Sequence, residues 1–315
     1  MKHAWRIAGG VAGLLLAAYF LWYCQRNLDL DQLAAALGEP RMAAALACAT
    51  LCYISMYPLT GWAWHHLLAK QSEDRPPLQL ALWIGITQLA KYIPGNIAQH
   101  ASRAYIALRN GVPARALVVT SIQEMLLALI CSILLGAGAL ALGTAHLNDI
   151  RLEWALRMLL LGSIAGSAVF CLDLKAHNAS TLPGWMQAGL RLIGGLPGWK
   201  VTLRCMAAFA ANYLLIGLGI WLLANALGMG DSITYPEAVA VFSLSWALGF
   251  LAPGAPAGLG AREGIMLLIL QGHGPAEKLV LLTLLARLMS MAGDFLMFLV
   301  SSCINLTMKS VQDRQ

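Results

Sequence analysis

Long apolar runs alternate with short polar segments along most of the chain. Six of these runs are long enough to cross the roughly 30 Å of hydrocarbon in a bilayer, so the pattern predicts six spanning helices. Lys2 and Arg6 precede the first run, as in a signal peptide, but its length and the lack of an obvious cleavage site favour an uncleaved span. The predicted spans cover residues 7–24, 42–68, 114–143, 154–174, 203–227 and 279–307.

Two further apolar segments are shorter and end abruptly at a Pro-Gly pair. The first stops at Pro94-Gly95 and the second at Pro253-Gly254. After each break, helical character resumes for about ten to thirteen residues, which is too short to cross a membrane. The sequence therefore predicts two re-entrant helical hairpins, at 78–109 and 238–271.

The composition fits lipid as the surrounding solvent. Hydrophobic residues make up 59% of the 315 positions and charged residues only 11%, whereas a soluble domain carries about 25% charged residues. This excludes a soluble globular protein, and the high hydrophobicity excludes a disordered one. The net charge of +6 then reports which loops face the cytoplasm, so we expect no nucleic-acid partner.

The basic residues indicate how the chain is oriented. If both termini are cytoplasmic and each hairpin returns to its own side, twelve Lys and Arg residues face the cytoplasm and five face outward, as the positive-inside rule requires. The hairpins then enter from opposite sides, which predicts an all-α inverted repeat within one domain, 1–315, of the kind that transporters use. Residues 175–202 form a cytoplasmic interfacial connection. Eight simple spans are the alternative arrangement.

Seven ionisable residues fall inside the predicted membrane region. At about 2.5–3.5 kcal/mol for each Asp, Lys or Arg at a helix centre, they cannot face lipid and must line a polar cavity or pair with one another. Four are bases and three are acids, so the interior carries one excess positive charge. They are Lys91, Arg103, Glu124, Arg262, Glu263, Arg287 and Asp294.

Helical spacing groups polar residues around these charges. Asn96, Gln99 and His100 share a helix face with Arg103, because offsets of three and four residues bring side chains together. Gly258 and Gly260 allow a ligand close to the backbone. With the seven charges, these five residues form the predicted substrate site, and the excess charge favours an anion such as a lipid phosphate. In the structural alternative, Arg262 pairs with Glu263 and Arg287 pairs with Asp294.

Two sequence signatures resemble the lysylphosphatidylglycerol synthase/flippase transmembrane family. The first is Lys91-Tyr-Ile-Pro-Gly-Asn with Arg103 and Arg109-Asn-Gly-Val-Pro, and the second is Gly258-Leu-Gly-Ala-Arg-Glu-Gly. The similarity extends over roughly residues 50–305. It implies an inner-membrane protein that moves lipids, or lipid-linked sugars or amino acids, between leaflets. We expect a standalone flippase-like region without the aminoacyl-transfer domain of the bifunctional members.

We therefore expect a lipid translocator that is not an enzyme and needs no cofactor or metal. Membrane lipids are its expected partners, and the sequence leaves open a homodimer or a membrane-enzyme partner. Two alternatives remain at this stage. One is a transporter of a small anionic solute, and the other is a non-catalytic partner of a membrane glycosyltransferase or lipid-modifying enzyme.

Overall fold

The computed structural model describes residues 38–93, 98–142, 150–171, 195–251 and 261–312, together with Ala34 and Gly184. Within these ranges the regular structure is helical, in ten α-helices and one 3-10 turn, Gln88–Tyr92. The helices are α1 (Pro40–Ile54), α2 (Met56–Lys70), α3 (Pro77–Thr87), α4 (Ala98–Arg109), α5 (Ala114–Leu142), α6 (Ile150–Phe170), α7 (Trp199–Ala226), α8 (Tyr235–Leu251), α9 (Ala261–Leu270) and α10 (Ala276–Gln312).

Four helical stretches in the described residues are long and apolar enough to cross a membrane. They are Pro40–Lys70, which joins α1 and α2, and Ala114–Leu140, Trp199–Ala226 and Ala276–Thr307. These stretches coincide with four predicted spans, and the protein is an all-helical membrane protein, as predicted. The apolar part of α6, Arg157–Phe170, is shorter. The predicted span at 7–24 and most of the connection 175–202 lie outside the described residues.

Proline explains where two of the helices end. Pro58 has no N–H to donate to the Ile54 carbonyl, and α1 ends at Ile54. Pro94 disfavours helical backbone at the residue before it. Ile93 is accordingly extended, with φ −71° and ψ 134°. The α3 helix tightens into the 3-10 turn just before this point, as helices often do at their ends.

The chain contains two halves with the same order of elements. The first half comprises α1 to α5, and the second comprises α7 to α10. Each half contains a pair of short helices on either side of a Pro-Gly break, followed by a long helix. We call α3 with α4 the first short-helix pair and α8 with α9 the second short-helix pair.

The two halves also pack in the same way. Helix α3 packs on α2 before it and on α10 of the other half, while α8 packs on α7 before it and on α5 of the other half. Helices α2 and α7 pack on each other at the centre. One hydrophobic core therefore runs through both halves, and the first helix of each short-helix pair lies against the last helix of the opposite half.

Two glycines permit equivalent close contacts in the halves. A Cβ on Gly61 would lie 2.8 Å from the backbone nitrogen of Ala81, the fifth residue of α3. A Cβ on Gly217 would lie 2.8 Å from the Cα of Val239, the fifth residue of α8. Both distances are too short for real atoms, so each central helix needs glycine where it meets the following short helix.

Candidate functional site

A buried carboxylate, Asp294, joins the last helix to the first half. Its Oδ2 lies 2.6 Å from the Nζ of Lys91 in the 3-10 turn. Its Oδ1 accepts hydrogen bonds from the hydroxyls of Tyr53 at 3.0 Å and Tyr57 at 2.7 Å, and its Oδ2 accepts one from Tyr92 at 2.5 Å. All five side chains are buried. Four donors from three elements thus stabilise the negative charge away from water.

A second ion pair joins α4 to α5 in the first half. The Nη1 and Nη2 of Arg103 donate to Oε1 and Oε2 of Glu124 at 2.9 Å and 3.0 Å, in the bidentate geometry that matches a guanidinium to a carboxylate. The guanidinium carbon also lies 4.5 Å from the centroid of the Trp64 ring. Trp64 donates its indole N–H to Thr120 on α5 at 3.1 Å. The charge of Arg103 is therefore matched within the protein.

A third ion pair joins α9 to α10 in the second half. Here the acid, Glu263, is on the short helix α9, and the base, Arg287, is on the following long helix α10. The Nη1 of Arg287 donates to Oε1 of Glu263. Each short-helix pair is thus linked to the next long helix by one buried or half-buried ion pair.

The remaining base, Arg262, differs from the other three. It has no carboxylate partner among the described residues. Its guanidinium carbon lies 5.4 Å from the centroid of the Phe242 ring on α8. The excess positive charge predicted for the interior is therefore located at Arg262.

Arg262 lines a cavity between the second short-helix pair, the 3-10 turn and α10. The cavity measures about 40 Å³, more than the roughly 10–15 Å³ that one buried water needs on the same measure. Its described walls combine charged and aromatic groups with small residues of α10. The charged and aromatic lining residues are Lys91, Tyr92, Phe242, Arg262, Glu263 and Arg287.

The structure brings four predicted site residues together at this cavity: Lys91, Arg262, Glu263 and Arg287. Asp294 adjoins them through Lys91. Arg103 and Glu124 form their own pair on α4 and α5, while Gln99 and His100 contact each other, with 3.1 Å between Nε2 atoms. The remaining predicted site residues, Asn96, Gly258 and Gly260, lie outside the described residues.

The alternative pairings inferred from sequence are wrong. Glu263 pairs with Arg287 and not with its neighbour Arg262, and Asp294 pairs with Lys91 and not with Arg287. The physical reason is the packing of the halves. Helix α10 lies against both the 3-10 turn and α9, so its two charged residues face different elements.

Sequence reasoning did not identify the aromatic residues of the site. Tyr53 and Tyr57 are one helical turn apart and therefore share a face, which is a detectable signal for a polar contact within an apolar span. Tyr92 is adjacent to the charged Lys91. Trp64 and Phe242, which lie against the two arginines, carry no comparable signal, because aromatic residues are common in apolar helices.

Comparison with known proteins places the chain among membrane proteins. The chain is 30% identical over 137 residues to the inner membrane protein YbhN of Escherichia coli (strain K12), a match that covers 42% of this chain and 39% of that relative. The family model described as "Lysylphosphatidylglycerol synthase TM region" matches residues 10–297. Because that match covers most of the chain, the protein belongs to the family of lysylphosphatidylglycerol synthase transmembrane regions.

Proposed function

We propose that the protein is a lipid translocator, which moves a phospholipid or a lipid-linked headgroup between the leaflets of the inner membrane. The observation that carries the proposal is Arg262, a cation without a carboxylate partner among the described residues, at the wall of a cavity lined by charged and aromatic side chains inside a membrane protein. A lipid phosphate is an anion that the surrounding membrane itself supplies. The description of the family names the transmembrane region of a phospholipid-modifying synthase, which supports a substrate drawn from membrane lipids.

In the proposed arrangement, both short-helix pairs are re-entrant hairpins. Helix α4 has 12 residues and α9 has 10, whereas a spanning helix needs about 20. The hairpins enter from opposite sides, with the N- and C-termini cytoplasmic. The shared packing pattern of the two halves supports this inverted arrangement, because the first helix of each pair lies against the last helix of the opposite half.

The proposed mechanism follows from this repeat. The headgroup enters the cavity and its phosphate binds Arg262, while the acyl chains remain in the bilayer. Rearrangement of one half against the other then exposes the same site to the second leaflet, as in other transporters built from inverted repeats. The protein breaks no covalent bond in this scheme, so the proposal makes it a transporter and not an enzyme.

Reconstitution in liposomes tests the proposal. Purified protein is mixed into vesicles that contain lipids with fluorescent headgroups or chains, and the fraction accessible to an impermeant quencher is followed with time. Wild type should move a phosphate-bearing lipid, and Arg262→Ala should reduce the rate to that of empty vesicles. Arg115→Ala removes an arginine that is exposed at the start of α5, and it serves as the matched control.

Two results would contradict the proposal. One is wild-type protein that moves none of the lipids, and the other is Arg262→Ala protein that moves them at the wild-type rate. Absence of both lipid and anion transport would favour a non-transporting partner of a membrane glycosyltransferase or lipid-modifying enzyme.

A transporter of a small anionic solute is the second candidate, and the size of the cavity favours it. About 40 Å³ holds a few waters or a small anion more readily than a whole lipid headgroup. Uptake of inorganic phosphate into the same vesicles, without movement of labelled lipid, would establish this candidate instead.

A further inference from the structure

We infer that the second half contains an oxyanion site, because it has Ala286 at the position that Glu124 holds in the first half. The Glu124 carboxylate fills the corresponding site of the first half as an internal ligand. The inferred ligand group is an oxyanion with two oxygens that can face one guanidinium, such as a phosphate ester. This inference rests on the proposed function, because it specifies the ligand chemistry of the same cavity.

The two arginines occupy equivalent positions along the chain. Arg103 is the ninth residue after Pro94, and Arg262 is the ninth residue after Pro253. Each guanidinium lies near an aromatic ring, at 4.5 Å from the Trp64 centroid and 5.4 Å from the Phe242 centroid. Both sites therefore contain an arginine at the same distance from a Pro-Gly break, with an aromatic ring close to its guanidinium.

The long helices α5 and α10 can be aligned with each other by contacts that do not involve the two arginines. Tyr57 and Tyr213 each precede their close-contact glycine, Gly61 or Gly217, by four residues. The Tyr57 hydroxyl donates to Asp294, the nineteenth residue of α10, at 2.7 Å.

Its counterpart, the Tyr213 hydroxyl, donates to the Ala128 carbonyl at 3.0 Å and lies beside the hydroxyl of Ser132. Ser132 is the nineteenth residue of α5. Ser132 and Asp294 therefore hold equivalent positions, and residues of α5 and α10 correspond when they are counted from the start of each helix.

This correspondence assigns a partner position to each arginine. Glu124 is the eleventh residue of α5, and the eleventh residue of α10 is Ala286. Ala286 lines the cavity together with Arg262. Where the first half has a carboxylate, the second half has a methyl group, so Arg262 lacks the internal partner that Arg103 has.

The pair in the first half indicates how a ligand would bind in the second. The carboxylate of Glu124 presents two oxygens to the two terminal nitrogens of Arg103 at 2.9 Å and 3.0 Å. Phosphate and carboxylate groups both fit this arginine fork. Near Arg262 the cavity also contains the hydroxyl-bearing residues Thr283 and Ser290. Their hydroxyls already donate to the Leu279 and Arg287 carbonyls, at 2.9 Å and 2.8 Å.

The first test places a carboxylate at the matching position. Ala286→Glu should supply Arg262 with an internal partner and compete with external anions, whereas Ala286→Gln adds nearly the same volume without a charge. Purified protein in neutral detergent is titrated with inorganic phosphate and with a short-chain phosphatidylglycerol, and thermal unfolding is followed by tryptophan fluorescence. Sodium chloride at equal ionic strength serves as the control. The two phosphate probes distinguish a free anion from a lipid headgroup.

We expect Ala286→Glu to weaken binding of the phosphate-bearing probe by about tenfold to a hundredfold, the range that corresponds to one charged hydrogen-bonded contact. Ala286→Glu should also unfold at a higher temperature than Ala286→Gln, and this difference should vanish when Arg262→Ala is added to both. Equal affinities and equal unfolding temperatures for the Glu and Gln variants would overturn the inference.

A second variant keeps the test decisive if Ala286→Glu does not fold. Arg262→Lys retains the positive charge but lacks the fork, so it should lose at least about tenfold in affinity for the phosphate probe. Undiminished affinity of Arg262→Lys would contradict a bidentate ligand.

The tests of this site assignment can fail independently of the test of lipid translocation. Probe binding with the expected variant pattern, but no lipid movement in vesicles, would defeat the lipid translocator and leave this site assignment intact. Lipid movement by Ala286→Glu at the wild-type rate would defeat the site assignment and leave translocation intact.

Discussion

The Nζ of Lys91 lies 2.6 Å from the Oδ2 of Asp294, and this contact links the segment before the first Pro-Gly break to the last helix of the opposite half. Hydroxyl groups of Tyr53, Tyr57 and Tyr92 complete the surroundings of the carboxylate. The pair therefore connects elements that must separate or tilt if the halves rearrange during transport.

Removal of one partner should be far more harmful than removal of both. Asp294→Asn leaves Lys91 as a buried charge without its counterion, and loss of one member of a buried pair typically costs about 3–5 kcal/mol. Lys91→Met combined with Asp294→Asn should recover most of that loss. The free energy of unfolding in detergent, measured for both single variants and the double variant, checks this, and strictly additive losses would contradict it.

The two close-contact glycines should be equally intolerant of a methyl group. Gly61→Ala and Gly217→Ala each force a central helix away from the helix that follows, because the added Cβ would lie 2.8 Å from backbone atoms. Overpacking of this kind costs about 1–3 kcal/mol.

Gly138→Ala and Gly162→Ala are matched controls, since a Cβ added at either position would have nothing within 4 Å of it. Thermal unfolding should show a lower midpoint for the first two variants and no loss for the controls. Loss at only one of Gly61 and Gly217 would argue against equivalent packing in the two halves.

The sequence predicts the spans and breaks well because they depend on local properties. Apolar length identifies Ala114–Leu140 and Ala276–Thr307 as spans, and Pro94 identifies the end of a helix. The partners in each ion pair depend on which helices pack together, and the hydropathy of the sequence does not reveal helix packing. The pairing of Asp294 with Lys91 therefore had to be seen in the structure, although the count of four bases and three acids already indicated one excess charge.

Arg103 and Arg262 are each the ninth residue after the proline of their Pro-Gly break, but the sequence interpretation did not use this equal spacing. The different environments of the two arginines could not be predicted from the sequence, because they depend on a residue of another helix. Glu124 contacts Arg103 across α4 and α5, whereas Ala286 leaves Arg262 facing the cavity.

Gly249 should be essential for the position of the Arg262 side chain. A Cβ at Gly249 on α8 would overlap the Cγ of Arg262, so Gly249→Ala must displace this side chain near its base. We expect Gly249→Ala to reduce transport in vesicles at least tenfold while the protein still unfolds cooperatively. Gly264→Ala, on the same helix as Arg262 but with nothing within 4 Å of its added Cβ, should transport normally. Equal transport by both variants would contradict the proposed role of Arg262.

The loop before α8 contains a capping interaction that should make stability depend on pH. The Thr234 N–H and hydroxyl each donate to the Oε2 of Glu237 at 2.8 Å, and the Nε2 of His273 lies 3.3 Å from its Oε1. Burial raises the pKa of Glu237, but the hydrogen bonds from Thr234 and His273 outweigh it and hold this pKa below its ordinary value. The carboxylate therefore links the start of α8 to the turn before α10.

A lowered pKa means that ionised Glu237 stabilises the folded protein at and above the ordinary carboxyl range, near pH 4 to 5. This stabilisation disappears as the pH falls through the lowered pKa and the carboxylate becomes protonated. Glu237→Gln should therefore reduce stability at pH 7 by about 1 kcal/mol, as for loss of a helix cap, and the deficit should shrink below about pH 4. Thermal unfolding of wild type and variant from pH 7 to pH 3.5 measures this difference. Adding His273→Gln to both proteins removes the imidazole, and a deficit that stayed constant with pH in that background would rule out the carboxylate as its source.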